Sequence, residues 1–269
     1  MSINKMPLCG ATALVTGASS GIGLEFAHQL AMQGINLLIV SNQEHELNQA
    51  CAVLINKYDI NVNSLFIDLT KPNATSIILD FCTIHNIEVD ILINNAGIFA
   101  FKEVLSLPPA QLNIFIDLHI RVVTQLCRVF GEKMKSRGYG YILNMSSMSC
   151  WMPMPGIAMY SATKAYIRVL SRAMHIELKE SGVSVTVACP GGIATNLFGL
   201  PNKLQSLGVK LGVLATPQAF VHGALKATFS QRKQYINGFV NRIAIFFVAI
   251  LPTRVRLIVK HRLLDNGKK

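Results

Sequence analysis

The segment Ala11–Gly23, with the sequence ATALVTGASSGIG, decides the fold. Ala11–Val15 is a short apolar run, typical of a buried strand, and Gly21-Ile22-Gly23 opens a helical pattern that ends at Gly34. Glycines at such a strand-to-helix turn let the backbone approach a pyrophosphate, and the helix N-terminus offers free N–H groups. The turn therefore predicts a dinucleotide site, with a purely structural tight turn as the alternative.

The rest of the chain repeats the alternation of strand and helix. Further apolar runs predict strands, and helical patterns fall between them; the strands are at 35–40, 62–67, 89–93, 139–145 and 183–188, and the helices at 21–33, up to 58, 73–85, 108–137 and 158–181. Apolar strands that alternate with helices indicate a parallel sheet covered on both faces. We predict a Rossmann-type, doubly wound α/β fold, with residues 1–269 forming a single dinucleotide-binding oxidoreductase domain.

The amino-acid composition bears on the size of the core, on metal binding and on the cellular compartment. The chain has 269 residues, of which 51% are hydrophobic, so a sizeable core is available. Its six cysteines form no C-x-x-C pair and do not cluster with histidine, so we predict no metal site. Free thiols and the lack of an apolar leader at the N-terminus predict a reducing, cytoplasmic location.

Tyr160 and Lys164 are the candidate chemical groups. A phenol normally ionises near pH 10, which makes Tyr a poor acid or base at neutral pH. Lys164 lies one helical turn after Tyr160, so its charge is expected to lower the pKa of the phenol. Ser147 could aim a hydroxyl at the same substrate oxygen. The alternative is a half-buried Tyr beside a solvated Lys.

The end of the second predicted strand bears on cofactor choice. An acidic residue there would bind the ribose of NAD, but the chain has Ser41-Asn42. With neither a carboxylate nor an Arg present, NADP(H) is slightly favoured over NAD(H). Asp68, at the end of the third strand, is placed either to meet the adenine or to cap a turn.

Together these motifs resemble the short-chain dehydrogenase/reductase family. The matching elements are Thr16-Gly17-x-x-x-Gly21-x-Gly23, Asn94-Asn95-Ala96-Gly97, Ser147, Tyr160-x-x-x-Lys164 and Pro190-Gly191 with Thr195. The resemblance implies that Tyr160 transfers the proton, Ser147 orients the carbonyl and Lys164 holds the nicotinamide ribose. The implied cofactor contacts are Gly17, Ser19, Ser20, Gly21, Ile22, Gly23, Asn94, Ala96, Gly97, Tyr160, Lys164, Pro190, Gly191, Ile193 and Thr195.

One position departs from the family pattern. Most members carry an Asn in the long central helix, where it helps to hold a water of the proton relay, whereas this chain has His119. An imidazole could bind that water or shuttle protons, as a catalytic group. The alternative is a core histidine satisfied by a backbone carbonyl.

Apolar residues surround the candidate site. Methionines, prolines and Trp151 fill residues 148–155, and leucines recur in a predicted substrate loop at about 191–215. This composition favours a lipophilic ketone or alcohol, although ordinary core packing explains any single residue equally well. We predict reduction of a lipophilic ketone; oxidation of hydroxysteroids or similar alcohols, and a non-catalytic dinucleotide-binding sensor or scaffold, are the alternatives.

The C-terminal extension, about residues 240–269, is apolar and basic. Residues 203–269 hold 12 basic residues and a single acidic one, Asp265, so the net charge of +11 lies there. The nine-residue apolar run Ile243–Leu251 is too short to span a bilayer but suits a membrane interface. Packing on the chain itself or on a second subunit is the alternative.

The remaining partners follow from this tail and from the family. The tail loosely resembles that of a branch acting on long-chain acyl and steroid-like ketones. The family resemblance also implies a homodimer or homotetramer. No aromatic residues interleave with the basic ones, so no nucleic-acid partner is predicted.

Overall fold

The computed structural model describes residues 8–193 and 214–261 of the chain. Its centre is a parallel sheet of seven strands in the order β3-β2-β1-β4-β5-β6-β7. The strands are β1 (Thr12–Thr16), β2 (Asn36–Ser41), β3 (Val62–Phe66), β4 (Ile91–Asn94), β5 (Gly140–Met145), β6 (Val183–Ala188) and β7 (Gln234–Tyr235). The predicted doubly wound α/β fold is confirmed.

Helices cover both faces of the sheet. They are α1 (Gly21–Ala31), α2 (Glu44–Lys57), α3 (Ala74–Ile84), α4 (Pro109–Ile116), α5 (Val122–Arg137), α6 (Ala158–Glu177), α7 (Pro217–Phe229), α8 (Phe239–Ala249) and α9 (Thr253–Lys260). Every residue of β5 and β6 is buried, and a separate cluster of apolar side chains fills each side of the sheet. Strands buried on both faces explain the continuous apolar runs in the sequence.

Two predicted helices differ in detail. The helix expected over 108–137 is interrupted by a π-helical turn at Asp117–Arg121, which separates α4 from α5. The helix expected over 158–181 ends at Glu177, and a short 3-10 turn, Lys179–Ser181, leads into Gly182. Gly182 has a φ of 73°, a left-handed conformation that ends the helical segment before β6.

The carboxyl ends of the central strands converge at one edge of the sheet. The turn after β1 begins with Gly17, and β4 runs into Asn95 and Ala96. Strand β5 leads to Ser147, while β6 leads to Pro190. The strand order reverses between β1 and β4, so this edge is where a doubly wound sheet binds ligands.

The predicted substrate loop lies mostly outside the described residues, as does Thr195. At its two ends, Ile193 forms a parallel bridge with Ala215. Within residues 8–193 and 214–261, no helix is long and apolar enough to cross a membrane.

Candidate active site

The glycine-rich turn after β1 leaves its backbone uncovered by side chains. Gly17 and Gly21 have φ values of 66° and 57°, which favour glycine. A Cβ on Gly23 would lie 2.0 Å from the carbonyl oxygen of Gly17, so no side chain fits there. Helix α1 begins without a side-chain cap at Ser20 and without an acidic residue in its first turn. Its free N–H groups and bare backbone fit a dinucleotide pyrophosphate.

Thr16 and Asn95 hold this turn in place. The Thr16 hydroxyl accepts hydrogen bonds of 3.0 Å from the backbone N–H groups of Asn95 and Ala96. The Asn95 amide in turn donates to the carbonyl oxygens of Thr16, at 3.0 Å, and Gly17, at 3.3 Å. The first turn is thus tied to the end of β4. Both residues belong to the quoted motifs, but the motifs alone do not indicate this bracing role.

The predicted ribose site differs from expectation in its details. Ser41 is buried, its hydroxyl lies 2.8 Å from that of Ser19, and it accepts a hydrogen bond from the backbone N–H of Gln43. Asn42 is exposed. Gln43 contacts the Ser19 hydroxyl at 3.1 Å and is a neutral group that the sequence did not single out. Ser41, Asn42 and Gln43 carry no carboxylate, and the first acidic residue after β2 is Glu44, at the start of α2.

Asp68 forms a turn at the end of β3. Its carboxylate accepts hydrogen bonds from the backbone N–H of Thr70, at 2.9 Å, and from its hydroxyl, at 2.7 Å. Lys71 lies 3.9 Å away as an ion-pair partner. These contacts favour the turn interpretation of Asp68, with the carboxylate still partly exposed.

Asn94 lies in a buried polar cluster behind the site. Its amide donates to the Asn144 side chain at 2.8 Å and to the Cys127 sulfur at 3.3 Å. Asn144 donates onward to the Ser171 hydroxyl at 2.9 Å. The cluster joins β4, β5, α5 and α6, so Asn94 braces the strands behind the site.

Ser147, Tyr160 and Lys164 meet at the carboxyl edge of the sheet. The Ser147 hydroxyl is hydrogen-bonded to the phenol of Tyr160, and the Lys164 ammonium lies 5.7 Å from the centre of the Tyr160 ring. Both Tyr160 and Lys164 are buried, with 5% and 4% of their surface exposed. Lys164 donates a hydrogen bond of 3.0 Å to the carbonyl oxygen of Met145. The alternative of a solvated Lys is therefore wrong.

The acid–base properties of the site also correct one expectation. Burial raises the pKa of Tyr160 to about 12, despite the hydrogen bond with Ser147 that lowers it. The prediction that the pKa of Tyr160 is lowered is therefore wrong for the protein without a bound cofactor, because burial leaves the phenolate poorly solvated. Burial also lowers the pKa of Lys164, to about 8. At neutral pH the phenol keeps its proton and the ammonium keeps its charge.

His119 is fully buried in the π-helical turn. Its Nε2 accepts a hydrogen bond of 3.1 Å from the backbone N–H of Ile98. Its Nδ1 lies 2.9 Å from the Thr163 hydroxyl, which itself donates to the carbonyl of Tyr160. Burial, together with the charge of Lys164, lowers the pKa of His119 well below its usual value. Both ring nitrogens have protein partners, which favours the interpretation of His119 as a neutral core histidine.

The segment after β6 closes the other side of the site. The carbonyl of Pro190 accepts a hydrogen bond of 2.8 Å from the N–H of Met148, and Gly191 donates to the Asn237 side chain at 2.8 Å. A Cβ on Gly191 would lie 2.4 Å from the Asn241 amide. Helix α8, which carries Asn241, also packs against the 3-10 turn Met148–Trp151. The C-terminal extension therefore borders the site, a placement that the sequence did not indicate.

Comparisons with known proteins agree with this architecture. The model of the short chain dehydrogenase family matches residues 11–203. Very-long-chain 3-oxoacyl-CoA reductase-A of Danio rerio is 30% identical over 195 residues, which cover 71% of this chain and 60% of that protein. The corresponding reductase of Bos taurus is 28% identical, over 92% of this chain and 77% of its own length.

A solved structure shows the same likeness. The short-chain dehydrogenase of Sphingobium yanoikuyae, in complex with NADPH, is 26% identical and has a TM-score of 0.78, over 93% of this chain and 95% of that one. The family match covers well over half of the chain and includes every strand from β1 to β6. It also includes the glycine-rich turn and the Ser147–Tyr160–Lys164 cluster. The chain is thus an oxidoreductase that belongs to the short chain dehydrogenase family.

Proposed function

We propose that this protein is an NADPH-dependent reductase of lipophilic ketones, with long-chain 3-oxoacyl thioesters as the favoured substrates. The observation that carries the proposal is the hydrogen-bonded pair of Ser147 and Tyr160 above a buried, charged Lys164. This cluster lies at the same sheet edge as the glycine-rich turn. The substrate class is supported by the relatives named very-long-chain 3-oxoacyl-CoA reductase.

The acid–base state of the site suits reduction. Bound NADPH would supply the hydride to the carbonyl carbon of the substrate. The Tyr160 phenol, protonated at neutral pH, would donate its proton to the carbonyl oxygen, and the Ser147 hydroxyl would donate a hydrogen bond to the same oxygen. The charge of Lys164 would stabilise the phenolate that remains. In this role the high pKa of Tyr160 is no obstacle, because the acid form is the one needed.

The choice of NADPH over NADH has two supports. The three residues at the end of β2, namely Ser41, Asn42 and Gln43, are uncharged and would not repel a 2′-phosphate. The Sphingobium yanoikuyae relative was solved with NADPH. A nicotinamide fluorescence titration tests this point: NADPH should bind more tightly than NADH, and the reverse order would contradict the proposal.

The reaction is tested by replacing the proton donor. We expect wild-type protein to oxidise NADPH in the presence of long-chain 3-oxoacyl-CoA, and Tyr160→Phe to turn over roughly 100- to 10,000-fold more slowly. The variant should still bind NADPH, since the glycine-rich turn and Lys164 are unchanged. Tyr166→Phe, on the outer face of α6, is the matched control and should keep full activity.

Two alternative functions make different predictions in the same assay. An oxidase of hydroxysteroids would reduce NADP⁺ with steroid alcohols faster than it reduces long-chain ketones. A sensor or scaffold would bind the cofactor and keep its output in Tyr160→Phe. The combination of Ser147, Tyr160 and Lys164 disfavours the sensor, because a protein that only binds the cofactor would not need all three groups.

We further propose that α8 and α9 lie on a membrane surface. Exposed apolar side chains recur along α8 at intervals close to one helical turn: Phe239, Ile243, the adjacent pair Phe246 and Phe247, and Ile250 just after the helix ends. Phe246 and Phe247 are 66% and 60% exposed. Arg254 and Arg256 follow in α9, and acidic residues are nearly absent from this part of the chain. An apolar stripe with flanking cations suits the interface of an anionic bilayer.

Helices α8 and α9 lie next to the candidate site, so a membrane bound to them would also lie next to it. Helix α8 packs beside the 3-10 turn that follows Ser147, and Lys260 of α9 forms an ion pair of 3.0 Å with Glu103, in the loop after β4. The two helices thus flank the candidate site. A lipid surface held against them would present a long-chain substrate directly to the site. We also propose that the protein forms a homodimer or homotetramer, as the family resemblance implies.

A further inference from the structure

Cys150 and Cys189 lie side by side behind the candidate site. Cys150 belongs to the 3-10 turn that begins after Ser147, and Cys189 follows the last residue of β6. Strands β5 and β6 are paired up to Met145 and Ala188, and the N–H of Met148 bonds to the carbonyl of Pro190. The pairing of these two segments brings the cysteines together although they are 39 positions apart in the sequence.

The two thiols contact each other directly. Their sulfur atoms share a hydrogen bond, and the Ser146 hydroxyl interacts with both. Both residues belong to the same apolar cluster, in which Cys189 is completely buried and Cys150 is partly exposed. Of the two sulfur-bearing residues, Cys150 is therefore the one that a reagent from solvent meets first.

The surroundings shift the pKa values of the two thiols in opposite directions. The hydrogen bond from Cys189, with help from Ser146 and the positive charge of Arg168, lowers the pKa of Cys150. The same hydrogen bond, together with burial, raises the pKa of Cys189. Arg168 is held nearby, with its guanidinium 4.3 Å from the centre of the Trp151 ring. Thiolate character at an accessible sulfur is what makes a cysteine reactive.

We propose that Cys150 and Cys189 are a redox-active pair, which peroxides convert into a disulfide that slows the candidate active site. In the first step the Cys150 thiolate attacks one oxygen of hydrogen peroxide, the O–O bond breaks, and a sulfenic acid forms as hydroxide leaves to become water. In the second step the sulfur of Cys189 attacks the Cys150 sulfur and loses its proton. The S–O bond breaks, and the hydroxyl leaves as a second water. Two thiols lose two electrons, and peroxide gains them.

The bond would act on the site through the 3-10 turn. A hydrogen-bonded pair of sulfurs must move closer to form a covalent bond, so the turn Met148–Trp151 is drawn toward β6. The Ser147 hydroxyl caps this turn by accepting a hydrogen bond of 3.1 Å from the N–H of Ser149. Movement of the turn therefore shifts the hydroxyl that is paired with Tyr160. A thiol reductant restores the original position.

The other four cysteines provide internal controls. Cys9 is exposed, Cys51 is half-buried, and Cys82 and Cys127 are buried. Burial raises the pKa of Cys82 to about 11 and that of Cys127 to about 12, so these two thiols are unreactive. Cys51→Ser removes a thiol of similar exposure to Cys150 without touching the site.

The test is peroxide treatment of the purified full-length protein, followed by alkylation of remaining thiols and mass spectrometry of its peptides. Wild type and Cys51→Ser should each yield a cross-linked peptide that joins Cys150 to Cys189 and has lost two hydrogen atoms. Dithiothreitol should release it. In Cys189→Ser, Cys150 should instead proceed to the sulfinic acid, because no second thiol intercepts the sulfenic acid.

Detection of the cross-linked peptide does not depend on knowing the substrate of the enzyme. Recovery of Cys189 as an alkylated free thiol from peroxide-treated wild type, whatever the state of Cys150, would overturn the pairing. The effect on the site has its own readout in NADPH-dependent ketone turnover. Wild type should lose most of its turnover after peroxide and regain it with dithiothreitol, while Cys150→Ser should be unaffected. Full turnover by the cross-linked protein would overturn the regulatory half of the proposal.

Discussion

At the scale of single residues, Lys164 shows how the site depends on its surroundings. The ammonium is almost completely buried and has one carbonyl oxygen, that of Met145, as its hydrogen-bond partner. A buried charge with one neutral partner destabilises the fold, which is why the pKa of Lys164 falls to about 8. Such a group is retained for what it does to its neighbours, Tyr160 above all, and not for stability.

This cost can be measured with Lys164→Met. The variant replaces a buried ammonium by an apolar side chain of similar length, so we expect turnover to be lost while the free energy of unfolding at pH 7 rises by about 2 kcal/mol. In the wild type the folded state loses this proton near pH 8, whereas the unfolded chain holds it to about pH 10.5. The wild type therefore gains stability as pH rises from 8 to 10, and the advantage of the variant should shrink over that window.

Denaturant titrations of both proteins at several pH values check this prediction. Lys179→Met, on the exposed 3-10 turn after α6, is the control and should change stability little at any pH. An advantage of Lys164→Met that stays constant between pH 7 and pH 10 would mean that Lys164 is not a buried cation.

The residues of the site were predictable from the sequence, but their chemical state was not. The spacing of Tyr160 and Lys164 indicates that both lie on one helical face, and the structure places them there. The direction of the Tyr160 pKa depends on burial, which the i, i+4 spacing does not report. The partners of His119 depend likewise on Ile98 and Thr163, which are distant in sequence.

At the scale of elements, the glycine-rich turn between β1 and α1 has no room for a side chain at Gly23. Gly23 lies in the first turn of α1, where its Cα faces the carbonyl of Gly17 with no room for a methyl group. Gly131, in the middle of α5, is a glycine of the opposite kind, because a Cβ there would find its nearest neighbours at ordinary contact distances of 3.7 Å or more. The two positions allow the same substitution to be compared in crowded and open surroundings.

We expect Gly23→Ala to lower the free energy of unfolding by about 1–3 kcal/mol through overpacking and to abolish NADPH binding. Gly131→Ala should raise it by about 0.5–1 kcal/mol, because alanine loses less backbone entropy in a helix, and should leave cofactor binding intact. Thermal unfolding with and without NADPH measures both. Normal NADPH affinity in Gly23→Ala would show that the turn does not hold the cofactor.

Two elements could not be predicted from the periodicity of apolar residues: strand β7 and the π-helical turn. Strand β7 has only two residues and exists because Gln234 and Tyr235 pair with the end of β6. The π-helical turn at Asp117–Arg121 leaves the apolar periodicity of 108–137 almost unchanged. By contrast, β1, β2, β4, β5 and β6 are almost entirely buried, so their apolar runs and their order along the chain were enough to predict most of the sheet. Strand β3, at the edge of the sheet, is only half-buried and mixes polar with apolar residues.

At the scale of the whole molecule, charge and exposed apolar surface coincide in the C-terminal part. The entire net charge of +11 comes from residues 203–269, and the described portion of this segment also exposes Phe246 and Phe247. Neither feature is needed to complete the sheet or the glycine-rich turn. The coincidence is explained if α8 and α9 meet an anionic lipid surface beside the site.

Flotation with lipid vesicles tests this surface. The protein should float with vesicles that contain phosphatidylserine, bind less at high salt, and bind weakly to pure phosphatidylcholine. Phe246→Ser with Phe247→Ser should abolish flotation, while turnover of a short, water-soluble ketone is kept. The matched control, Val169→Ser on the exposed face of α6, should float normally. Unchanged flotation of the double variant would show that α8 is not the surface that contacts the membrane.

The most direct test of the account follows a labelled hydride. Protein loaded with NADPH that carries deuterium at C4 of the nicotinamide is mixed with a long-chain 3-oxoacyl-CoA, and the product is examined by mass spectrometry. The account predicts deuterium on the new carbinol carbon with wild-type protein, and hardly any labelled product with Tyr160→Phe, although the variant binds NADPH. Tight NADPH binding by wild type without transfer of the label to any ketone would contradict it.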